Sequence, residues 1–305
     1  EDENVDIIYI STPHNTHIEF LRKALKAGKH VLCEKSITLN SEELEEAINL
    51  AKENNVVLAE AMTIYHMPIY KKLNEIISSG KLGDLGLIQM NFGSYKPYDM
   101  NNRFFNRNLA GGAMLDIGVY AISFVRWFMT SKPHKITSQV KYAPSGVDET
   151  AGILLQNKED EMASIILSLH AKQPKRGTIS FDKGYIEIFE YPRGDEAVIT
   201  YTETGEKEVI TAGNTEKALE YEIEDMEKGD FTEEEIENAK KGIIASIKTI
   251  DDEQDTQITY YFGQELTGTI VSLEEYTKKI ENVSKEDIIN IAKKVSINTI
   301  YFLRD

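Results

Sequence analysis

The sequence is poor in cysteine, and its single thiol, Cys33, sets the first limits on the class of protein. One cysteine cannot form an intrachain disulfide or a cysteine-cluster metal site. A reducing, cytoplasmic setting fits best, because disulfide frameworks belong to oxidising compartments. Basic residues are also scarce: 34 lysines and arginines face 51 acidic residues, and the formal net charge is −17. We therefore expect no nucleic-acid partner and no anionic membrane surface, since such a field repels polyanions.

Long apolar runs are missing as well. We find no stretch of about 18 apolar residues of the kind that spans a membrane, so no membrane partner is expected. The 305 residues suggest about two domains, and the 41% hydrophobic content is enough for a sizeable core. The sequence begins at Glu1 and goes directly into a strand-like run, without a charged-then-apolar signal segment. We interpret this start as a cut or as a fragment of a longer gene product.

The first 64 residues alternate between short apolar runs and amphipathic segments. The first run is rich in β-branched residues, which is typical of a strand covered on both faces. Thr16-x-x-Glu19 forms a capping box for the helix that follows, and Asn40 or Ser41 caps the next helix. This alternation predicts βαβ units and a parallel sheet. The three predicted strands are Val5–Ser11, His30–Cys33 and Val56–Ala59.

The pattern changes after residue 64. Pro68 begins a helix that Gly80 ends, residues 87–93 alternate like a strand, and Ala110–Met129 form an apolar helix entered through Gly-Gly. From Lys135 to about Ala212, strands and turns predict a mostly antiparallel sheet, so this part is α+β. The remainder predicts a small, mainly helical tail. Its helices begin at three capping boxes, and it ends in a strand: Thr232-x-x-Glu235, Ser272-x-x-Glu275, Ser284-x-x-Asp287 and residues 299–305.

Glu34-Lys35 stands at the end of the second predicted strand, and Ser11-Thr12-Pro13-His14 follows the first. Ligands of open parallel sheets sit at the carboxyl ends of the strands, so these residues have the geometry of a nucleotide site. A lysine there could hydrogen-bond a ribose and a substrate hydroxyl together, and its charge would stabilise a developing alkoxide. The alternative is a solvated lysine at the start of a loop, and the pattern alone does not decide between the two.

Asp116 and Tyr120 are four residues apart, so on a helix they share a face. A tyrosine hydroxyl near a lysine ammonium could act as a general acid–base, because the cation favours the ionised phenol. The alternative is a tyrosine packed in the helix core with its hydroxyl at the edge, and the spacing by itself favours that alternative.

Two further patterns carry less chemistry. His14-x-x-His17 with Glu19 could suggest a metal, but helix capping and cofactor contact explain these residues better, so no metal site is expected. We interpret Cys33 as a small buried apolar residue and Asp251–Asp255 as a solvated loop.

Four segments, in their order and spacing, resemble the Gfo/Idh/MocA oxidoreductase family: "VDIIYISTPHNTH", "ALKAGKHVLCEKS", "LAEAM" and "LAGGAMLDIGVY". The last two are similar to its branch of dihydrodiol dehydrogenases and glucose–fructose oxidoreductase-like enzymes. The resemblance covers about residues 4–228. It implies a partial Rossmann-type sheet in residues 1–64 and an open-faced, mostly antiparallel domain for substrate and dimerisation in residues 65–228. The implied reaction is NAD- or NADP-linked hydride transfer at a carbinol carbon of a sugar, polyol or dihydrodiol.

The resemblance also implies roles for single residues. Lys35 matches the lysine of the family's Glu-Lys-Pro motif, and Asp116 and Tyr120 match its D-x-G-x-Y motif, with Tyr120 as the proton donor. These three are the implied catalytic residues. The residues implied to bind the cofactor lie at the two strand ends: Ser11, Thr12, Pro13, His14, His17, Glu34 and Lys35.

The sequence departs from the family pattern in three places. Ser36 replaces the usual proline and so loses a fixed φ, and Tyr65-His66 stands where this branch often has an arginine. No G-x-G-x-x-G turn is present to hold a pyrophosphate, since "GKLGDLG" (Gly80–Gly86) has the wrong spacing. We therefore expect an N-terminally truncated member that binds a dinucleotide weakly or not at all. Val5–Ser11 would then be an edge strand, available for pairing with another chain.

Residues 229–305 resemble a different family, the C-terminal end of an insulinase-type (M16) zinc peptidase-like protein. That family's H-x-x-E-H motif is missing, and no histidine occurs after His170, so this tail cannot build that metal site. We expect a chimera joined near residues 227–229. The leading hypothesis is an oxidoreductase that forms a homo-oligomer through its antiparallel sheet. The alternatives are a non-catalytic assembly or peptide-binding module and a peptidase-related fragment.

Overall fold

A computed structural model describes residues 5–214, residue 240 and residues 272–293. These residues fall into two compact units, residues 5–214 in the first and the others in the second. The predicted division into residues 1–64, 65–228 and 229–305 remains a prediction, because the boundary near residue 228 lies outside the described residues.

The first unit begins with a small parallel sheet of strand order β1-β2-β3. Its apolar core forms between these strands and two helices, in which Leu21 and Leu25 are fully buried beside Val31, Cys33 and Ala47. This confirms the predicted βαβ arrangement, with strand limits shifted by at most two residues. The elements are β1 (Ile7–Ile10), α1 (His17–Lys26), β2 (His30–Glu34), α2 (Ser41–Glu53) and β3 (Leu58–Ala61).

The prediction that the first strand is covered on both faces is wrong. Ile10 is buried against the helices, but Ile7 and Tyr9 are 45% and 50% exposed. Alternate residues of a strand point to opposite faces. Both helices of the core pack on the face of β1 that carries Ile10. The apolar composition of the strand predicted that both faces are covered, but the described residues cover only one of them.

The two predicted helix caps differ in outcome. Asn40 caps α2, because its side chain accepts a hydrogen bond from the Glu43 backbone N–H at 2.8 Å. The prediction of a capping box at Thr16 is wrong, since no side-chain hydrogen bond caps the helix there. The Thr16 hydroxyl donates instead to the Thr12 hydroxyl and to the Pro13 carbonyl. Glu19 forms an ion pair with Lys23 one turn further along α1.

The second part of this unit is an eight-stranded sheet of order β11-β10-β9-β8-β4-β7-β6-β5. It is mostly antiparallel, as predicted, but β4 pairs in parallel with β7. The helix after β4 packs on β4 and β7 and covers one face of the sheet. The elements are α3 (Pro68–Ser78), β4 (Leu85–Gly93), α4 (Val119–Phe128), β5 (Lys135–Tyr142), β6 (Asp148–Gln156), β7 (Met162–Ser168), β8 (Arg176–Phe181), β9 (Gly184–Phe189), β10 (Glu196–Tyr201) and β11 (Lys207–Thr211).

A π-helical turn, Met114–Gly118, leads into α4. Its first N–H groups are held by the Asp148 carboxylate, which accepts from the Met114 N–H at 2.6 Å. The segment Arg107–Phe128 is long and apolar enough to cross a membrane by length and composition alone. The expectation that no stretch passes that test is therefore wrong. Core helices of water-soluble proteins pass it too, and in this structure α4 packs against the large sheet.

The second unit contains two described helices, α5 (Leu273–Asn282) and α6 (Lys285–Ala292). Both of their predicted capping boxes are confirmed. Ser272 Oγ accepts from the Glu275 N–H at 3.1 Å, and the Ser284 N–H donates to the Asp287 carboxylate at 2.9 Å. The predicted helix at Thr232, the acidic run 251–255 and the terminal strand lie outside the described residues.

Candidate active site

Lys35 follows directly after β2, at the carboxyl end of the small sheet. Its Nζ lies 2.6 Å from the main-chain oxygen of Asp116 and 3.2 Å from Asp116 Oδ1. The two side chains are only 14% and 13% exposed. Asp116 belongs to the π-helical turn, so this ion pair joins the strand end of the small sheet to the helix of the large one.

Tyr120 lies one turn beyond Asp116 and completes the cluster. Lys35 Nζ is 4.8 Å from the centroid of the Tyr120 ring. The Tyr191 hydroxyl donates a hydrogen bond to the Tyr120 main-chain oxygen and so fixes the start of α4. The structure therefore brings the three predicted catalytic residues into contact, and Asp116 accepts hydrogen bonds from the ammonium of Lys35.

The protonation of Tyr120 differs from the expectation that a neighbouring cation favours the phenolate. Burial, followed by the negative charge of Glu34, raises the pKa of Tyr120 well above its ordinary value, and Arg193 opposes this only in part. The charges of Asp116 and Glu60 add to the rise. At neutral pH the hydroxyl of Tyr120 is therefore a phenol that can donate a proton.

The turn after Lys35 is fastened from two sides. The Ser36 hydroxyl donates to the Leu115 carbonyl at 2.8 Å, and the Ile37 N–H donates to the Glu60 carboxylate at 2.9 Å. The Lys35–Ser36 peptide bond is cis. Ser36, which stands at the position of the expected proline, thus adds a hydrogen bond to the helix that carries Asp116.

His17 is completely buried beneath the strand ends. Its Nδ1 lies 2.8 Å from the Ser36 carbonyl oxygen and its Nε2 lies 2.7 Å from the Thr12 carbonyl oxygen. Carbonyl oxygens only accept hydrogen bonds, so an N–H of the ring is the donor in these contacts. With a carbonyl oxygen at each ring nitrogen, His17 links the two strand ends.

His14 lines a small pocket beside the catalytic cluster. Burial, then the charge of Lys35, lowers the pKa of His14, which favours a neutral imidazole. The pocket extends from the first strand end to Asp116, and its lining residues are Pro13, His14, Arg103, Phe104, Leu109, Ala110, Gly111 and Asp116.

The remaining predicted residues surround the same strand ends. Glu34 accepts a hydrogen bond from the Tyr9 hydroxyl and another from the Lys35 N–H at 3.3 Å. Ser11 is exposed at the end of β1. Cys33 is buried, and burial raises the pKa of its thiol to about 12, so it is an inert core residue at neutral pH.

Sequence reasoning missed four polar residues of this region. Glu60 could have been found, because it lies in β3 next to the other strand ends. Arg103 and Arg193 lie in loops without periodicity, and only the folded chain places them beside His14 and Tyr120. Asn15 Oδ1 is buried without a hydrogen-bond partner among residues 5–214. An unsatisfied polar atom in the loop that joins β1 to α1 fits a site that accepts a polar ligand such as a dinucleotide.

A parallel sheet with polar strand ends, joined through a lysine and a tyrosine to an open antiparallel sheet, defines a class of two-domain oxidoreductases. Comparison with family models identifies the family. Residues 1–62 match the oxidoreductase family with NAD-binding Rossmann fold, and residues 70–187 match the GFO/IDH/MocA C-terminal domain. The chain belongs to the Gfo/Idh/MocA oxidoreductase family.

Curated relatives agree with this assignment. The chain is 34% identical over 189 residues to trans-1,2-dihydrobenzene-1,2-diol dehydrogenase of Xenopus laevis, a match over 62% of this chain and 57% of that protein. The human enzyme of the same name is 33% identical over 62% of this chain and 56% of its own length. The chain thus spans a little over half the length of these relatives.

Solved structures share the fold. KijD10, a 3-ketoreductase from Actinomadura kijaniata in complex with NADP and TDP-benzene, matches with a TM-score of 0.67 at 22% identity, over 77% of this chain and 74% of that one. An inositol dehydrogenase homologue from Azotobacter vinelandii, complexed with NAD+, matches with a TM-score of 0.62 at 19% identity, over 69% and 58%. At these identities the likeness concerns the fold alone.

Proposed function

We propose that this chain carries the catalytic site of an NAD(P)-dependent oxidoreductase that transfers a hydride at the carbinol carbon of a sugar, polyol or dihydrodiol. The observation that carries this proposal is the meeting of Lys35, Asp116 and Tyr120 at the carboxyl end of β2. The relatives named above, at about one-third identity, are diol dehydrogenases by name, which supports a carbinol carbon as the reacting centre.

The chain's own groups account for the proton chemistry. Lys35 has three N–H donors, and Asp116 engages two of them, so the third is left for the oxygen of a substrate. Its positive charge stabilises an oxygen that becomes alkoxide-like. Tyr120, held as a phenol by burial, donates the proton to that oxygen. This protonation state favours reduction of a carbonyl over oxidation of an alcohol near neutral pH.

The residues at the strand ends fit the nicotinamide half of a dinucleotide. Ser11–His14 and Glu34 would border it, and the unpartnered Asn15 oxygen would accept one of its donors. When bound, the nicotinamide supplies or accepts the hydride. The sequence contains no G-x-G-x-x-G turn for the pyrophosphate. We therefore propose weak binding, with a Kd above about 10 μM, roughly −7 kcal/mol.

Fluorescence titration with NADPH and NADH tests this proposal, followed by turnover assays with a sugar, a polyol and a trans-dihydrodiol. We expect saturable cofactor binding and a rate that depends on Lys35. Lys35→Met should abolish turnover, whereas Lys52→Met, which removes an exposed charge from α2, should leave it unchanged. Absence of both binding and turnover would leave the assembly module as the better description.

The alternative of an assembly surface has one specific observation in its favour. Apolar side chains are exposed on the face of the large sheet opposite α4, and the strand register places them on one side: Leu87, Leu154, Met162, Ile166, Phe189 and Val209. Contiguous apolar patches of this kind mark interaction surfaces. We propose a homo-oligomer through this open face. Ile166→Lys should shift the mass measured by light scattering toward the monomer, and Val57→Lys, which changes an exposed apolar residue near the small sheet, should not.

The M16-type resemblance of residues 229–305 and a join near residue 228 remain hypotheses of the same rank. The genomic DNA sequence across the codons for residues 220–235 is the direct test. A reading frame that continues without a join in independent isolates would contradict the chimera.

A further inference from the structure

The loop between β4 and the Gly-Gly turn holds two basic residues on one aromatic ring. Lys96 Nζ lies 4.4 Å from the centroid of the Phe104 ring, and the Arg103 guanidinium carbon lies 4.5 Å from the same centroid. We call Lys96 and Arg103 the cation pair. The loop is anchored where it leaves the sheet, because the Lys96 N–H donates to the Leu169 carbonyl at 2.6 Å.

The cation pair has no acidic partner in the part of the chain that the structure describes. Neither side chain forms an ion pair within the described residues 5–214, although the chain has 51 acidic residues against 34 basic ones. The acidic side chain in the adjoining pocket, Asp116, is already paired with Lys35.

One member of the cation pair, Arg103, adjoins the catalytic cluster. Arg103 and Phe104 line the same pocket as His14 and Asp116. The charge of Arg103 also contributes, as the smallest of the causes, to lowering the pKa of His14. The backbone of the loop is held in place here, because the Gly112 N–H donates to the Phe104 carbonyl at 3.0 Å.

We infer that the substrate of this site carries an anionic group, a carboxylate or a phosphate, that the cation pair binds while its carbinol carbon lies at Lys35. Arginine suits this task because its planar N–H groups match the oxygens of carboxylate and phosphate. This inference rests on the proposed function, since it names the class of substrate for the same site. A sugar acid and a sugar phosphate both have the required chemistry.

Binding measurements that need no turnover test the inference. D-Glucuronate, D-glucose 6-phosphate and neutral D-glucose are titrated into the full chain by calorimetry at low ionic strength. We expect at least one of the two anions to bind tenfold or more tightly than glucose, and its advantage to fall at 0.5 M salt. Comparison of the dissociation constants of glucuronate and glucose 6-phosphate then shows whether the site prefers a carboxylate or a phosphate.

Variants locate the effect. Arg103→Gln and Lys96→Gln should each reduce the preference for the anion at least threefold, and Arg103→Lys should retain part of it. Lys158→Gln is the matched control, because it removes one positive charge from the β6–β7 turn. That turn is far from the catalytic cluster. Asp148, which contacts the catalytic helix, is the first of the nine residues of β6, and the turn follows the last of them, about 30 Å away.

Several outcomes overturn the inference: no anion binding at millimolar concentration, equal binding of glucose, or an unchanged preference in the Gln variants. A loss of NADPH affinity in Arg103→Gln without any discrimination between sugars would assign the cation pair to the cofactor instead. Failure of the proposed function looks different, because NADPH would not bind while the preference for anionic sugars persisted.

Discussion

The Lys35 ammonium lies 2.6 Å from the main-chain oxygen of Asp116, a residue 81 positions later in the chain. One partner stands at the end of a strand of the small sheet, and the other stands in the helix that covers the large sheet. The contact exists only when the two parts pack together. The contact between Lys35 and Asp116 therefore depends on the packing of the two sheets and is also the centre of the proposed chemistry.

Lys35→Met should destabilise the first unit as well as remove catalysis. The substitution keeps the length of the side chain but leaves the Asp116 carboxylate without its cation in a poorly solvated place. Loss of charged hydrogen bonds of this kind costs about 1.5–3 kcal/mol. Urea denaturation followed by circular dichroism measures the change. A free energy of unfolding equal to that of the Lys52→Met control would mean that the ion pair contributes nothing to stability.

Tyr120→Phe should lower the rate of carbonyl reduction by roughly 10²–10⁴-fold, the usual contribution of a positioned general acid. Because burial raises the pKa of Tyr120, the phenol stays protonated through neutral pH, and the rate of reduction should not fall until alkaline pH. Arg193→Gln removes the charge that opposes this shift and should move the alkaline limb to higher pH. A reduction rate that falls between pH 6 and 8 would remove Tyr120 from the role of proton donor.

The catalytic cluster could be predicted from the sequence because each of its residues has a position that local patterns identify. Lys35 follows an apolar strand, and Asp116 and Tyr120 keep a helical spacing, so sheet topology brings them to one edge. The cover of β1 could not be predicted in the same way. Ile7 and Tyr9 have the composition of buried residues, but burial depends on which elements pack against them.

Loop residues escaped prediction for a related reason. Arg103 lies in a stretch without strand or helix periodicity, and its position beside His14 depends on the close packing of residues 103–104 against the Gly-Gly turn. The capping box at Thr16 failed because a local alternative was available: its hydroxyl bonds to Thr12 and Pro13 instead of the helix N–H groups.

His17→Phe should destabilise the first unit by about 2–4 kcal/mol, because the Thr12 and Ser36 carbonyl oxygens would each lose a buried partner. His134→Phe is the control, since His134 is exposed. Urea denaturation measures the change, and a free energy of unfolding equal to that of the control would contradict the bridging role.

Alkaline pH should destabilise the fold through buried tyrosines. Burial raises the pKa of Tyr70 and of Tyr191 above the value of about 10 that an unfolded chain has. A raised folded pKa means that the folded state binds the proton more tightly. The stabilisation is complete below pH 10 and is lost as the pH rises toward the folded pKa, by about 1.4 kcal/mol per pH unit for each tyrosine.

Urea denaturation at pH 8, 10 and 11 measures this loss. Tyr70→Phe should weaken the fold at pH 8, because it removes the hydrogen bond to the Pro192 carbonyl at 3.0 Å, and it should also flatten the alkaline decline. Tyr142→Phe, at a side chain that is 65% exposed, should leave the decline unchanged. An alkaline slope identical in all three proteins would show that Tyr70 does not contribute to it.

Gly111→Ala should disturb the pocket that contains the cation pair. A Cβ at this position would lie 2.7 Å from the carbonyl oxygens of Arg103 and of Phe104, and backbone atoms cannot rotate away as a flexible side chain can. The loop must shift, at a cost of about 1–3 kcal/mol, and Arg103 moves with it. We expect reduced stability together with a loss of anion preference. Gly86→Ala is the matched control, because its nearest neighbour would lie 3.9 Å away, at an ordinary contact distance. The contradicting outcome is that Gly111→Ala binds glucuronate and glucose 6-phosphate as the control does. The position of Arg103 would then not depend on the close approach of residues 103–104 to Gly111.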